Sequence, residues 1–343
     1  MKKNPLPGKQ FITSLCTKTL SYQELLTGYL PRFKVQRKQD IFEKAFQVHR
    51  NTEGNLSLTR CIFETNSKSG LEFKKHVVQI KTEAGFFDDA ADTSSERRSV
   101  WYLNFADPNL FFAWDSKLFA QDEIQTLEHP LLCALRKYME QHSGRDDEHF
   151  YPCTIIRPQQ PTPILIENVP YWISVDTRPR LADGTIANIY GNSFMTAPQE
   201  AVEAGLRVVE GSIQTNILAI AALEGAGAYS KTDIEYTLKA ALAGFAQAAQ
   251  IAAAKQQTET AIHTGNWGCG AFGGDKEFMY LVQIIAAGAV GITEIIFHGI
   301  DKEILARAEF KWTKFVETND FTFERAVDYL LNQKYFWGMS DGN

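Results

Sequence analysis

The segment Thr264-Gly-Asn-Trp-Gly-Cys-Gly-Ala-Phe-Gly-Gly-Asp275 constrains this chain more than any other, because Gly265, Gly268, Gly270, Gly273 and Gly274 crowd into it. Backbone of that kind reaches conformations closed to other residues and lets a ligand approach main-chain amides directly. The apolar run Phe278 to Val290 follows at once, with the length and composition of a buried helix. A glycine turn emptying into a helix N-terminus presents unpaired N–H groups and the positive end of the helix dipole. Together these attract phosphate without a lysine. Residues 268–273 also satisfy Gly-x-Gly-x-x-Gly, which admits a nicotinamide-dependent oxidoreductase as one reading. That reading wants an acidic residue about 20 positions on, at the end of the next strand. Here Glu294 falls inside the strand-like run Ile292 to Phe297 and Asp301 lies well past it, so the fit is poor.

Around the glycine segment the pattern alternates. Residues 200–209, 235–255, 303–316 and 323–333 have helical periodicity, while 153–156, 164–167, 171–175 and 292–297 read as strands. Earlier, Ser21 to Leu30 predicts a helix capped by Ser21 with Glu24 at the capping-box position. Residues 57–64 and 76–81 read as strands, and Asp122 to Gln141 as one helix. Strands alternating with helices predict an α/β fold, a mixed sheet flanked by helices. The charged, turn-rich stretch Ser143 to His149 divides the chain into an N-terminal α+β accessory region, 1–145, and a functional domain, 146–343. Asp88 to Ser99, polar throughout, reads as a mobile loop.

Charge excludes some functions. A net charge of −6 and a pI near 5.7 leave no basic surface for sequence-independent nucleic-acid binding. The five cysteines, 16, 61, 133, 153 and 269, include no Cys-x-x-Cys pair, so neither a disulfide framework nor a zinc motif is indicated. No signal peptide or membrane span is read, and a cytoplasmic location is the expectation. No motif calls for a metal or a cofactor.

The twelve residues from Thr264 to Asp275 resemble, nearly letter for letter, the phosphate-binding loop of the poly(ADP-ribose) glycohydrolases, a branch of the macrodomain fold. The resemblance extends to Leu238-Lys-Ala-Ala-Leu-Ala-Gly-Phe245 and to Phe297-His-Gly-Ile-Asp301, is partial over 175–205 and is not seen in the first 150 residues. It implies a macrodomain that binds ADP-ribose. Gly265, Gly268, Cys269, Gly270, Ala271 and Gly273 then line the diphosphate, Phe272 meets the terminal ribose, and Phe297 is the candidate for stacking on adenine. Asn266, Trp267 and Cys269 are as readily braces of the loop, Phe297 is as readily a core aromatic, and His263 and His298 receive no role.

The family's catalytic stretch is a strand ending in Asp-Phe-Ala-Asn, a Gly-Gly-Gly turn, and Gln-Glu-Glu at a helix start. Its counterpart is placed at Thr185-Ile-Ala-Asn188, Tyr190-Gly-Asn-Ser193 and Gln199-Glu-Ala201. Asn188 is then the ribose-binding amide and Gly191 the one surviving glycine, while the second glutamate falls on Ala201. Cleaving a glycosidic bond passes through an oxocarbenium-like state that needs a carboxyl group near the anomeric carbon. The candidates are Glu200, then Glu203 on the same helix face, then Asp176 and Asp183. Acids after Pro198 also favour a helix start, and Asp-Gly is a turn pair, so each has a structural reading beside the catalytic one. The leading expectation is an ADP-ribosyl glycohydrolase acting on a modified protein side chain, with a single ADP-ribose as substrate. A catalytically silent ADP-ribose reader is the alternative, and a bacterial effector working in a host cytosol is one setting for either.

Overall fold

The computed structural model describes residues 12–64, 72–88, 91–144, 149–157, 159–318, 321–340 and 342. Most of the expected boundary stretch, residues 145–148, lies outside them. In chain order the first elements are β1 (Ile12–Ser21), α1 (Tyr22–Gly28), α2 (Gln36–His49), β2 (Asn55–Phe63), β3 (Gln79–Glu83) and β4 (Arg98–Ala106). Ser21 caps α1 as its sequence predicts, its side chain accepting from Glu24 N at 3.1 Å. Then come α3 (Gln121–Glu128) and α4 (Pro130–His142), where one continuous helix is expected. Pro130 has no N–H to continue the ladder and disfavours helical geometry at His129, so the helix breaks there.

The chain continues through β5 (Ile155–Arg157), β6 (Gln160–Pro161), β7 (Ile164–Pro170), β8 (Ile173–Val175), α5 (Ser193–Thr196), α6 (Gln199–Gly205), β9 (Leu206–Val208) and β10 (Gln214–Ala221). The Ala-rich α7 (Lys231–Ala254), β11 (Glu259–Thr264), α8 (Lys276–Val290), β12 (Glu294–His298), α9 (Lys302–Val316) and α10 (Phe323–Asn332) complete it.

Eight strands form one sheet in the order β1-β2-β7-β10-β4-β11-β12-β3. β10, β4, β11, β12 and β3 run parallel; β1, β2 and β7 pair antiparallel. Strands from both sides of residue 145 therefore share hydrogen bonds, with β4 in the middle. Of the parallel strands, β4, β10, β11 and β12 are buried on both faces, while the edge strand β3 is largely exposed. Trp101 and Leu103 of β4 face one core with α7, α8 and α10, whereas Val100 and Tyr102 face another with α1 to α4. Helices on both faces of a mixed sheet give the expected α/β macrodomain-like architecture. Among the described residues no helix is long and apolar enough to cross a membrane.

Open α/β sheets place ligands outside the carboxyl ends of their parallel strands. Here those ends are Ala106 of β4, Ala221 of β10, Thr264 of β11, His298 of β12 and Glu83 of β3.

Candidate active site

A cleft of about 880 Å³ opens at that edge. One wall is the glycine loop, Gly265 to Phe272, leaving β11. The segments that follow β4 add Asp107, Phe112, Leu118, Asp122 and Glu123 to the lining. Thr177, Arg178, Asn188 and Tyr190 close one side, and Phe86, Phe87 and His298 another.

The loop is held open by its own scaffold. Cys269 N donates to Asn266 O at 2.9 Å, Gly273 N to Gly270 O at 3.0 Å and Gly274 N to Gly268 O at 2.8 Å. Among the described residues the amides of Gly270, Ala271 and Phe272 meet no acceptor, which leaves them for a ligand. Gly268 sits at φ +71°, and a Cβ there would lie 2.6 Å from Ala222 Cβ, so only glycine fits. Trp267 is sealed behind the loop with its Nε1 donating to Ile220 O at 2.9 Å. Tyr280 donates to Asn266 Oδ1 at 2.5 Å. Asn266 and Trp267 thus brace the loop. Asp275 caps α8 through Phe278 N, aiming that helix's positive end at the cleft, with Lys276 in the lining. The C-terminal residues also reach the loop. Gly338 N donates to Gly273 O at 2.7 Å, and Trp337 stacks on Tyr229, whose hydroxyl accepts from Asp275 N.

Of the expected ADP-ribose contacts, Gly265, Gly268, Cys269, Gly270, Ala271, Phe272 and Asn188 line the cleft. Asn188 also holds its own turn, accepting from Tyr190 N at 3.0 Å. Gly191 and Gly273 lie outside the lining: Gly191 N donates to Phe119 O at 2.8 Å, and Gly273 meets the C-terminal strap. Phe297 is also elsewhere. Strand alternation turns it into the α7–α8 core, fully buried and edge-on to Tyr280, so the adenine-stacking expectation finds no ring in the cleft at that position.

Nor does the cleft receive the four expected carboxylates. Glu200 is exposed on the first turn of α6, where Ala201 faces the core; Glu203 accepts from Gln199 Nε2. Asp183 and Asp176 are exposed turn residues accepting from Thr185 N and Arg178 N. These are the structural readings of the same acids. Asp88 to Ser99 is likewise anchored where described: Asp92 pairs with Arg98 and His263, and Asn216 donates to Ser94 Oγ.

The carboxylates that do line the cleft are Asp107, Asp122 and Glu123. Asp122 and Glu123 start α3, and both are buried. Gln121 ties that helix start to the end of β4: its Oε1 accepts from Phe105 N at 2.8 Å and its Nε2 donates to Leu103 O at 3.0 Å. Asp122 accepts from Asn104 Nδ2 at 2.9 Å, and Glu123 Oε2 accepts from Ala120 N at 3.0 Å. Lys38, wholly buried on α2, donates to Ser116 O and Leu118 O at 2.9 Å and so fixes the segment between them. Burial pushes both carboxyl groups up from the ordinary range, with Glu123 adding to the rise at Asp122 and Asp107 to that at Glu123, and burial pulls the Lys38 ammonium down to about 8. A protonated carboxyl group beside a second one is the equipment of glycosidic-bond chemistry.

Sequence reading overlooked this pair, yet a signal was there. Asn104-Phe-Ala-Asp107 ends a strand, and Gln121-Asp-Glu123 starts a helix. That is the strand, turn and acidic-pair pattern sought at 185–201, with Pro108 to Ala120 in place of glycines.

Beside the cleft, His263 Nε2 lies 2.9 Å from Asp92 Oδ2 and its Nδ1 lies 2.8 Å from His298 Nε2. Burial alone raises the Asp92 carboxyl, but hydrogen bonds from His263 and Arg98 outweigh it and hold it below its usual range. Burial, then the neighbouring His263, brings His298 down to about 4.

This fold and loop define a macrodomain-like α/β protein with a cleft beside its glycine loop. Residues 186–307 match the family described as "Poly (ADP-ribose) glycohydrolase (PARG), Macro domain fold", and over that segment the chain is similar to that family. Asp122 and Glu123 precede the matched segment. Similar solved structures include the poly(ADP-ribose) glycohydrolase of Thermomonospora curvata, at 13% identity, 83% of this chain, 95% of that one and a TM-score of 0.39. The enzyme of Deinococcus radiodurans in complex with ADP-ribose is similar at 13% identity, with 86% and 93% covered and a TM-score of 0.40.

Proposed function

We propose that this chain is an ADP-ribosyl glycohydrolase: it binds ADP-ribose in the cleft, with Glu123 as the catalytic carboxyl group and Asp122 beside it. The observation that carries the proposal is that a buried acidic pair and a glycine loop with free amides line the same cleft. The loop amides and the α8 dipole take the pyrophosphate. The terminal ribose, with its anomeric carbon, then lies toward α3. Burial favours the neutral form of that carboxyl group, which donates to the departing oxygen, and in its ionised form the group activates water. Asn188, Arg178 and Tyr190 border the same space.

The substrate is a single ADP-ribose on a protein side chain. The segment Pro108 to Ala120 contains no glycine and sets Phe112 and Leu118 into the lining where a smaller turn would leave room for a further unit. An ADP-ribosylated protein is accordingly the partner.

Isothermal titration with ADP-ribose and a release assay on mono- and poly-ADP-ribosylated protein test this reading together. Binding that survives in Glu123→Gln while release is lost supports it. Full release by that variant, or no ADP-ribose binding by the native chain, overturns it.

A further inference from the structure

We propose that Glu83, His263 and His298 form a binding site for one divalent transition-metal cation, with zinc the best match, at the wall of the cleft. Their ligand atoms all lie within 4.8 Å of one another. His263 Nδ1 and His298 Nε2 face each other at 2.8 Å, and Glu83 Oε2 lies 3.7 Å from His298 Nε2. The parallel register produces this convergence. β12 pairs His298 with Glu83 on β3, and β11 pairs His263 with Ile296, two residues before His298 and on the same face of β12. The three side chains therefore emerge together at the carboxyl edge of adjacent strands.

Proton accounting favours a cation there. A neutral imidazole carries one ring N–H, and Asp92 takes that of His263 on Nε2, leaving Nδ1 as a bare lone pair aimed at His298. A carboxylate behind one nitrogen and a free lone pair on the other is the arrangement that prepares histidine for a metal. Asp92 is itself anchored by Arg98, which also pairs with Glu294. Two imidazoles and one carboxylate form an open zinc ligand set, with a fourth position for water or a substrate oxygen. Nitrogen donors disfavour magnesium and calcium, which require oxygen. On binding, the cation replaces the hydrogen between the two rings. His298 takes up its ring hydrogen on Nδ1 in place of Nε2, so that both facing nitrogens become neutral imidazole ligands with no net loss of a proton, and the half-exposed Glu83 swings in from the sheet edge.

The test uses the full chain, stripped with a chelator and titrated with ZnCl2 by calorimetry, and with CoCl2 by visible absorption. One zinc per chain with a Kd below about 1 µM, a cobalt d–d band, and no heat from MgCl2 are expected. Glu83→Gln, at an exposed edge, weakens zinc at least about tenfold while leaving the metal-free melting temperature unchanged, and Asp92→Asn weakens it by about 10–100-fold. Absence of micromolar zinc binding in the native chain overturns the site, as does equal affinity in Glu83→Gln and His298→Gln. None of these readouts depends on ADP-ribose turnover.

Discussion

Glu123→Gln separates catalysis from folding, because the two respond in opposite directions. The substitution keeps the shape of the side chain, and its amide oxygen can still accept from Ala120 N, so the start of α3 is preserved. Two electrostatic consequences compete. Neutralising Glu123 removes the largest favourable influence on the buried Lys38 ammonium, which destabilises the fold. It also removes a buried carboxylate whose own desolvation outweighs what Lys38 and the Ala120 amide return, since the net shift of that carboxyl group is upward. The second effect wins. A carboxyl pKa raised in the folded state means stability that is complete below the ordinary carboxylate range and lost as pH rises through the folded value. Every tenfold by which burial weakens that acid costs the native chain about 1.4 kcal/mol once the group is ionised. At 343 residues a kcal/mol is worth roughly 1–2 °C in melting temperature. Glu123→Gln should therefore melt higher than the native chain at pH 8, and the difference should vanish toward pH 4. Its release of ADP-ribose should fall about 10²–10⁴-fold, the contribution of a general acid–base group. Scanning calorimetry across pH and single-turnover release measure the two sides. Unchanged turnover, or a lower melting temperature at pH 8, refutes the reasoning.

Gly268→Ala forces a residue at φ +71° against Ala222 and Met279; it should destabilise by about 1–3 kcal/mol and weaken ADP-ribose binding at least tenfold, read by chemical denaturation and calorimetry. Trp267→Phe leaves Ile220 O without its 2.9 Å donor and should cost about 1–3 kcal/mol in the same denaturation. Asp301→Ala removes the side-chain cap that accepts from Glu303 N and Ile304 N and should cost about 1 kcal/mol in the same denaturation. Gly288→Ala drives a Cβ to 2.4 Å from Trp312 Cη2, so α8 and α9 must part; a loss of about 1–3 kcal/mol with the cleft intact is the expected result of thermal melting and binding measured together.

What the sequence revealed and what it hid follow from how far apart the cooperating residues lie. The glycine loop is legible because every determinant sits within twelve residues: glycines for the turn, Asp275 for the cap, an apolar run for the helix behind it. The Ser21 cap is legible for the same reason. Phe297 is a different case, since a strand aromatic has two faces to choose from and only the helices packed on each decide. Its neighbours Ile296 and His298 take the cleft-side face, and Phe297 has no alternative to the α7–α8 core. The acidic pair is hidden by long range. Helical periodicity from Asp122 onward is visible, but an aspartate and a glutamate at a helix start ordinarily complement the dipole in water. Their burial depends on Lys38, about 85 positions earlier, holding the bulky Pro108 to Ala120 segment against them, and on β4 entering the middle of a sheet completed after residue 214. A division of the chain at residue 145 sets β4 and α3 apart from the loop they face. The parallel pairing of β4 with β11 reunites them, and that pairing is why the chemistry belongs at the carboxyl ends of those two strands rather than at the exposed acids of α6.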